Sequence, residues 1–357
     1  MSRIAFYAPL KPPSHPRPSG DRAMARALML ALEHTGRHVT VASTLRSYDG
    51  AGDSARQQDL EGAAQADLGR LVESGRKAGW TCWLTYHCYY KAPDLLGPAV
   101  TRQLGIPYVQ IEATRARKRL DGPWARFAAL SEAACDHADL IFYLTERDGE
   151  TLIARAPEGQ TVRRLHAFLP HTDLPPPSTL DGPMLSVGMF RPGDKLGSYR
   201  IIAETLALLQ TSDWCLDIAG DGAARPQVEE LIRGFGPRVR LLGECDQARL
   251  AEAYASASLL FWPGVNEAFG MAYLEAQARG LPVVAQDRPG VRDVLAGTDQ
   301  PPPAAGTSAL AERIDRLLGD PALRRARSRE VRAHVQSRHL LGTAARTLDD
   351  GLREVAA

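Results

Sequence analysis

The sequence predicts an α/β fold built on two doubly wound parallel sheets, and three observations carry that expectation. Short β-prone runs alternate with helix-period segments along nearly the whole chain, which is the pattern of a parallel sheet covered by helices on both faces. Five prolines among polar residues at 170–183 can sustain neither a helix nor a central strand, so they divide the series in two. The 357 residues exceed one ordinary core and suit two domains.

In the first series, residues 3–8 form a β-prone run and 9–20 a Pro/Gly loop. A helical stretch follows with Met24, Leu28, Ala31 and Leu32 on one face. Strands are expected at 38–43, 81–86, 107–111 and 140–145, and helices at 68–78, 95–104 and 124–137. The polar stretch 57–65 reads as a surface excursion. In the second series strands are expected at 184–187, 215–219, 239–242, 259–262 and 282–285. Helices are expected at 197–209, 227–233, 248–257, 269–279, 309–318 and 321–339. The domains so drawn are 1–175 and 176–335, with 336–357 a last helix expected to pack back on the first domain. Open α/β sheets bind ligands at the carboxyl ends of their strands, so chemistry is sought in the loops that follow them.

Composition narrows the partners. With 43 Lys+Arg against 42 Asp+Glu the net charge is +1, so no whole-molecule field draws in nucleic acid, and an anionic ligand must meet a local positive cluster. Five cysteines (Cys82, Cys88, Cys135, Cys215, Cys245) without a Cys-x-x-Cys pair fit neither a disulfide framework nor a zinc knuckle, and point to a reducing compartment. The N-terminus lacks the apolar region of a signal peptide, and no window reaches the roughly 18 apolar residues of a membrane span. A cytoplasmic protein is the expectation. Only five basic residues are lysines (Lys11, Lys77, Lys91, Lys118, Lys195), so a lysine in a special place is informative.

The most informative segment runs from Phe261-Trp262-Pro263 through Glu267 and Phe269-Gly270-Met271-Ala272 to Glu275, and on to Gly280-Leu281-Pro282-Val283-Val284-Ala285. An apolar strand ends at Pro263, a loop delivers Glu267, and a helix starting near Phe269 carries Glu275 until Gly280 stops it. Amides at Gly270, Met271 and Ala272, with the positive helix end, attract phosphate oxygens, while the two carboxylates accept hydrogen bonds from a polyol. A sugar nucleotide carries both kinds of group.

With its Glu-x7-Glu spacing and the following Gly-Leu-Pro-Val-Val-Ala strand, this segment resembles the retaining glycosyltransferases of family 4, whose two-domain architecture is called GT-B. The resemblance covers almost the whole chain and implies two Rossmann-like domains facing each other across a cleft. It implies that Glu267 binds hydroxyls of the donor sugar and that Glu275 holds the ribose of the nucleotide. It also implies a nucleotide diphosphate sugar, with UDP or GDP as carrier, as co-substrate, and no other cofactor.

Gly188-Met189-Phe190-Arg191-Pro192-Gly193-Asp194-Lys195, directly after the first strand of the second domain, is similar to that family's Val-Gly-Arg segment and Lys-Gly, which bind the donor diphosphate. Lys195 matches. Met189 stands where an arginine is expected, so Arg191 would reach the phosphates from two residues further along. Two cations suit a leaving diphosphate, because their attraction grows as charge collects on the bridging oxygen. No Asp-x-Asp is placed to hold a metal, and none is expected. Gly220-Asp221-Gly222 resembles the family's structural turn, without the third glycine of a dinucleotide fingerprint. Glu244, after the next strand, is implied to lie near the nucleotide base.

In the first domain Pro18-Ser19-Gly20-Asp21-Arg22 corresponds to the family's glycine-rich loop. Gly20 either lets the backbone approach the ligand or is an ordinary turn glycine before Asp21 as helix cap. The family's histidines at middle-strand ends are represented by His87, while Glu112 stands where a His-Gly is expected. Either Glu112 or His87 takes the histidine's place, or Glu112 merely pairs with the basic run at 115–119. That run reads as a solvated face, or as a site for a phosphorylated or lipid-linked acceptor or the inner face of a membrane. The basic segment 324–338 reads as the exposed face of a helix. The function expected is metal-independent hexosyl transfer to a glycan, lipid-linked or small-molecule acceptor hydroxyl. The rivals are a sugar-nucleotide epimerase or hydrolase of the same fold, and a non-catalytic sugar-nucleotide-binding protein.

Overall fold

The structure, a computed structural model, describes residues 2–16 and 19–355; Pro18 of the loop singled out above lies outside them. The chain divides into two compact units, residues 1–166 with 341–357, and residues 167–340.

The first unit runs β1 (Arg3–Tyr7), α1 (Gly20–His34), β2 (His38–Ser43), α2 (Ser54–Ala78), β3 (Cys82–Tyr86), α3 (Gly97–Leu104), β4 (Tyr108–Ile111), α4 (Ala125–His137), β5 (Leu140–Tyr143), α5 (Glu146–Ile153) and β6 (Thr161–Arg164). Among the described residues its sheet has six strands, ordered β2-β1-β3-β4-β5-β6 and parallel throughout. The chain steps from β1 outward to β2 and then returns to the other side of β1, so the sheet reverses direction between β1 and β3. Loops leaving two such strands part to opposite faces and open a crevice. Every residue of β3 is buried, which explains its mainly apolar and aromatic text, and the hydroxyl of its threonine, Thr85, is bonded to Asp94.

Two expectations need correction here. The stretch 57–65 is no excursion: α2 is one helix of 25 residues from Ser54. Asp53 caps it by accepting from the amides of Ala55 and Arg56 at 3.0 and 3.2 Å. Its first half is polar nearly all round and shows no apolar stripe, although Gln57 and Ala64 are buried. α5 and β6 also escape the sequence pattern: α5 buries only Gly149 and Leu152, and β6 is half-buried throughout.

The second unit holds β7 (Met184–Val187), α6 (Asp194–Leu206), β8 (Leu216–Ala219), α7 (Arg225–Ile232), β9 (Val239–Gly243), α8 (Gln247–Ser256), β10 (Leu260–Phe261), α9 (Met271–Ala278), β11 (Val283–Val284), α10 (Gly306–Gly319) and α11 (Pro321–Arg338). Its strand order is β11-β10-β7-β8-β9, so the reversal lies between β7 and β10. The loops after those two strands carry the residues singled out in the sequence.

The unit boundaries lie at 166/167 and 340/341 rather than at 175 and 335. The proline-rich segment is bound to the second unit: the amide of Ser178 donates to the Arg279 carbonyl at 2.7 Å, its hydroxyl to the Ala257 carbonyl at 2.6 Å, and Arg332 to the Pro175 carbonyl at 2.8 Å. The entering and leaving strands also pair, with the Leu169 amide donating to the His339 carbonyl at 2.8 Å and Leu169 bridging Leu340 in parallel. The last helix, α12 (Leu341–Val355), belongs to the first unit, where it packs on α1 and Asp349 pairs with Arg37 at 2.6 Å. Among the described residues no helix is long and apolar enough to cross a membrane.

Candidate functional site

The crevice at the β7/β10 reversal is shaped by close backbone contact. Gly220, at the end of β8, has φ 156°, and a Cβ built on it would lie 1.9 Å from the Gly188 carbonyl oxygen. Only glycine permits that approach. The Tyr199 hydroxyl donates to the same carbonyl at 2.7 Å, and the Phe190 amide to Asp221 at 2.9 Å, so the loop from Gly188 is fixed in two directions. Phe190 turns inward and is buried, leaving Met189 exposed. Gly193, with φ 82°, then starts α6, whose N-terminus no side chain caps.

Lys195 stands in the first turn of α6 and forms an ion pair with Glu267 from the loop after β10. The same Glu267 oxygen accepts from the indole N–H of Trp262 at 2.9 Å, and the Lys195 ammonium lies 5.1 Å from that ring's centroid. The loop is tied to α6 twice more, by the Val265 backbone amide to the Ser198 hydroxyl at 3.2 Å and by the Asn266 side-chain Nδ2 to the Asp194 carboxylate at 2.8 Å. Asn266 holds φ 51°, a left-handed conformation that asparagine tolerates.

Gly270 caps α9 with φ 59°. The helix therefore begins at Met271, two residues later than the sequence suggested. No side chain caps it, so the amides of Met271 and Ala272 and the dipole of α9 stand open to an anion, whereas in α6 the Leu196 amide is taken by the Arg191 carbonyl at 3.1 Å. Glu275 lies a turn inside α9 rather than at its end, and the Tyr254 hydroxyl of α8 donates to it at 3.0 Å. Burial pushes the Glu275 carboxyl above its ordinary range, and the Tyr254 hydrogen bond pulls it partly back.

The structure thus brings Lys195 and Glu267 into contact, sets Gly188 against the Trp262 ring and ends the same loop at Gly270. Arg191 and Glu244 are exposed, and the Arg191 carbonyl accepts from the Leu196 amide at 3.1 Å. Trp262, Tyr254, Ser198 and Asn266 escaped assignment from sequence. Trp262 lies inside the segment singled out above, and its place at a strand end was a usable signal.

The first unit has its own group at the β1/β3 reversal. The cap of α1 is Ser19, whose hydroxyl accepts from the Arg22 amide at 3.3 Å, not Asp21 as the turn reading had it. Relieved of capping, Asp21 reaches His87 Nδ1 at 3.1 Å, and Glu112 lies 3.8 Å from the same nitrogen. Gly20 is an exposed first residue of the helix with no neighbour near its missing Cβ, so local packing does not demand glycine there.

Burial pushes the His87 imidazole down, but Glu112 and Asp21 together outweigh it and hold the pKa above the ordinary histidine value. Burial likewise raises the Glu112 carboxyl, opposed by His87. The three groups form one electrostatic cluster, in which His87 and Glu112 are neighbours. The basic run takes no part in it: Arg115 is nearly buried and pairs with Glu132 and Asp136 at 2.8 and 2.6 Å. Arg117 and Lys118 are exposed. The segment at 324–338 is also less exposed than expected, since Arg332 donates to the Ala278 carbonyl at 2.7 Å and Arg324 to the Leu317 carbonyl at 2.7 Å.

Residues 184–320 match the family described as "Glycosyl transferases group 1". The chain is 34% identical over 203 residues to an exopolysaccharide phosphotransferase of Streptomyces coelicolor, covering 53% of this chain and 20% of that one. It is 37% identical over 122 residues to a GDP-mannose-dependent alpha-mannosyltransferase of Mycolicibacterium smegmatis, covering 31% of this chain and 32% of the relative. The chain thus spans between a fifth and a third of the length of these curated relatives. The sucrose-phosphate synthase of Thermosynechococcus elongatus superposes with a TM-score of 0.74 at 20% identity over 99% of both chains. The fold class is that of GT-B glycosyltransferases, with two parallel-sheet α/β units.

Proposed function

We propose that this protein is a glycosyltransferase that moves a hexosyl group, with retention, from a nucleotide diphosphate sugar to an acceptor hydroxyl. One observation carries the reading: within the matched segment, Lys195 from the first turn of α6 meets Glu267 on the loop that ends at the uncapped N-terminus of α9. That is a cation, a sugar-hydroxyl acceptor and the open amides of one helix end at one strand reversal. The diphosphate draws the Lys195 ammonium from Glu267 and lies against the amides of Met271 and Ala272, with Arg191 closing from the exposed side. Glu267 then accepts from the sugar hydroxyls and Glu275 from the ribose, while Glu244 stands near the base.

Transfer proceeds at the front face. The bond from the anomeric carbon to the phosphate oxygen breaks as the bond to the acceptor oxygen forms, and the acceptor's proton passes to the departing phosphate oxygen. Lys195, Arg191 and the helix amides bind most strongly when that oxygen carries its full charge, which is what lowers the barrier. These groups do the work without a metal ion. In the first unit the Asp21–His87–Glu112 cluster binds acceptor hydroxyls, on a glycan, lipid-linked or small-molecule acceptor in the cytoplasm or at the inner face of its membrane. The match to the phosphotransferase covers a fifth of that protein and lends no weight to phosphoryl transfer.

The test is incubation of the full chain with radiolabelled UDP- and GDP-sugars and an acceptor mixture. Label in a new glycoside, with its anomeric configuration kept, supports the reading. Free sugar or an epimer points to the hydrolase or epimerase, and tight binding without turnover to a non-catalytic protein.

A further inference from the structure

The loop after β3 is held rigidly from beneath. The buried Asp94 carboxylate accepts from the amides of Leu96 and Gly97 at 2.8 and 2.7 Å and from the Tyr108 hydroxyl at 2.8 Å. Ser47 donates to the Pro93 carbonyl at 2.6 Å, and the Asp49 amide to the Lys91 carbonyl at 2.8 Å. Along this loop the rings of His87, Tyr89, Tyr90 and Trp124 follow one another at 5.1, 5.6 and 5.8 Å between centroids. Trp124 is locked by its indole N–H, which donates to the Asp49 carbonyl at 3.1 Å.

Two cations share the far end of this ladder. The Lys91 ammonium lies 5.7 Å from the Tyr90 ring and 5.1 Å from that of Trp124; the Arg119 guanidinium lies 5.3 and 5.5 Å from the same two rings. Neither is in an ion pair among the described residues, and the Arg119 Nε is buried without a hydrogen-bond partner. The nearby Asp49 carboxylate is occupied by the amides of Ala51, Gly52 and Asp53 and by Gln57. Four residues earlier in the run, Arg115 has two carboxylates of its own.

Stacking holds a cation by its face without cancelling its charge, and two like charges on one pair of rings repel. The arrangement is complete only with an anion, and two cations suit a phosphate's divalent charge. Among the described residues the guanidinium makes no hydrogen bond, which leaves its terminal N–H groups for oxygen.

We propose that Lys91 and Arg119, presented on the Tyr90 and Trp124 rings, bind the phosphate of a phosphorylated carbohydrate whose sugar lies along the rings toward His87. Naming that molecule the acceptor rests on the glycosyl-transfer reading; the phosphate site itself does not. The phosphate belongs either to a soluble sugar phosphate or to a lipid-linked one.

Isothermal titration of the full chain with glucose, glucose 6-phosphate and inorganic phosphate, beside co-sedimentation with phosphatidylglycerol and phosphatidylcholine vesicles, tests it. For the soluble source glucose 6-phosphate binds at least about tenfold tighter than glucose, and Lys91→Gln and Arg119→Gln each weaken it by about tenfold. For the lipid source the phosphatidylglycerol vesicles bind as well and the double variant releases them; vesicles that bind while glucose 6-phosphate does no better than glucose report a charged surface and overturn the proposal. Lys91→Arg, which keeps the charge, retains binding and guards against misfolding of the Gln variants. Probes that bind no better than glucose and neutral vesicles, or a folded double variant that binds like the parent, overturn the proposal. UDP and GDP titrated on the same samples report the donor reading separately, so either reading can fail while the other stands.

Discussion

His87 and Glu112 each stand one residue beyond the end of a strand, on the neighbours β3 and β4, and both hold a left-handed backbone, with φ 61° and 59°. Their amides donate to the next strand over, His87 to the Ile111 carbonyl at 2.9 Å and Glu112 to Phe142 at 2.8 Å. The sheet's own hydrogen bonds thus force the strained turn that brings the two side chains together. A left-handed conformation costs an ordinary residue about 1–2 kcal/mol. At either position glycine should therefore be more stable than alanine by about 1 kcal/mol, the reverse of the usual order. Urea melts of the four variants check this, and alanine matching glycine would refute strain.

The raised pKa of His87 fixes a pH dependence. Its contribution to stability is fully present below the unfolded histidine value of about 6.5 and is lost as pH rises through the elevated folded value. An NMR titration of the ring should give a midpoint above 6.5 in the native chain. Glu112→Gln should lower that midpoint and flatten the fall of Tm with pH.

Gly220 and Gly20 should respond oppositely to the same change. Gly220→Ala drives a Cβ against the Gly188 carbonyl and should cost about 2 kcal/mol or more, loosening the loop that leads to Lys195. Gly20→Ala meets nothing within 4 Å in a helix and should be neutral or stabilising by up to about 1 kcal/mol. Thermal melts separate them.

Glu275 is a buried acid that the free fold disfavours in its charged form. Stability associated with it is present below about pH 4.3 and is lost as pH rises through its elevated folded pKa. Glu275→Gln should therefore raise Tm at pH 7 and leave it nearly unchanged at pH 4. The same variant should weaken nucleotide binding by about tenfold or more, since a charge-assisted hydrogen bond to the ribose is lost. A variant with a higher Tm and unaltered nucleotide affinity would separate Glu275 from the ribose.

Lys195→Ala should weaken nucleotide-sugar binding by about tenfold to a hundredfold while leaving the melt within a few degrees, because the pair is part-exposed. Calorimetric titration reads the first quantity and thermal unfolding the second. Normal binding in this variant would remove Lys195 from the diphosphate site.

The alternation of β-prone and helical text exposed both sheets, and the loop between Trp262 and Gly270 carries Glu267, which the fold brings against Lys195. What escaped has physical causes. The first half of α2 has no apolar stripe because it rests on Gln57 and Ala64 alone, so periodicity missed it. The contact between Asp21 and His87 follows from strand order, with β3 seated beside β1, and no local pattern encodes that. The positive φ of His87 and Glu112 is imposed by neighbouring strands against the residues' own preference. Lys91 and Arg119 converge from separate loops, and only the rings between them reveal the pairing.

The pairing of Leu169 with Leu340 makes the second unit an insertion whose two ends lie side by side. Such a segment can be lifted out of its host gene and expressed as a free-standing cassette, with a short peptide bridging the cut ends of the remainder. Recombination between related genes can exchange it in one step at those two joints, giving an existing first unit a new second unit without re-threading its sheet.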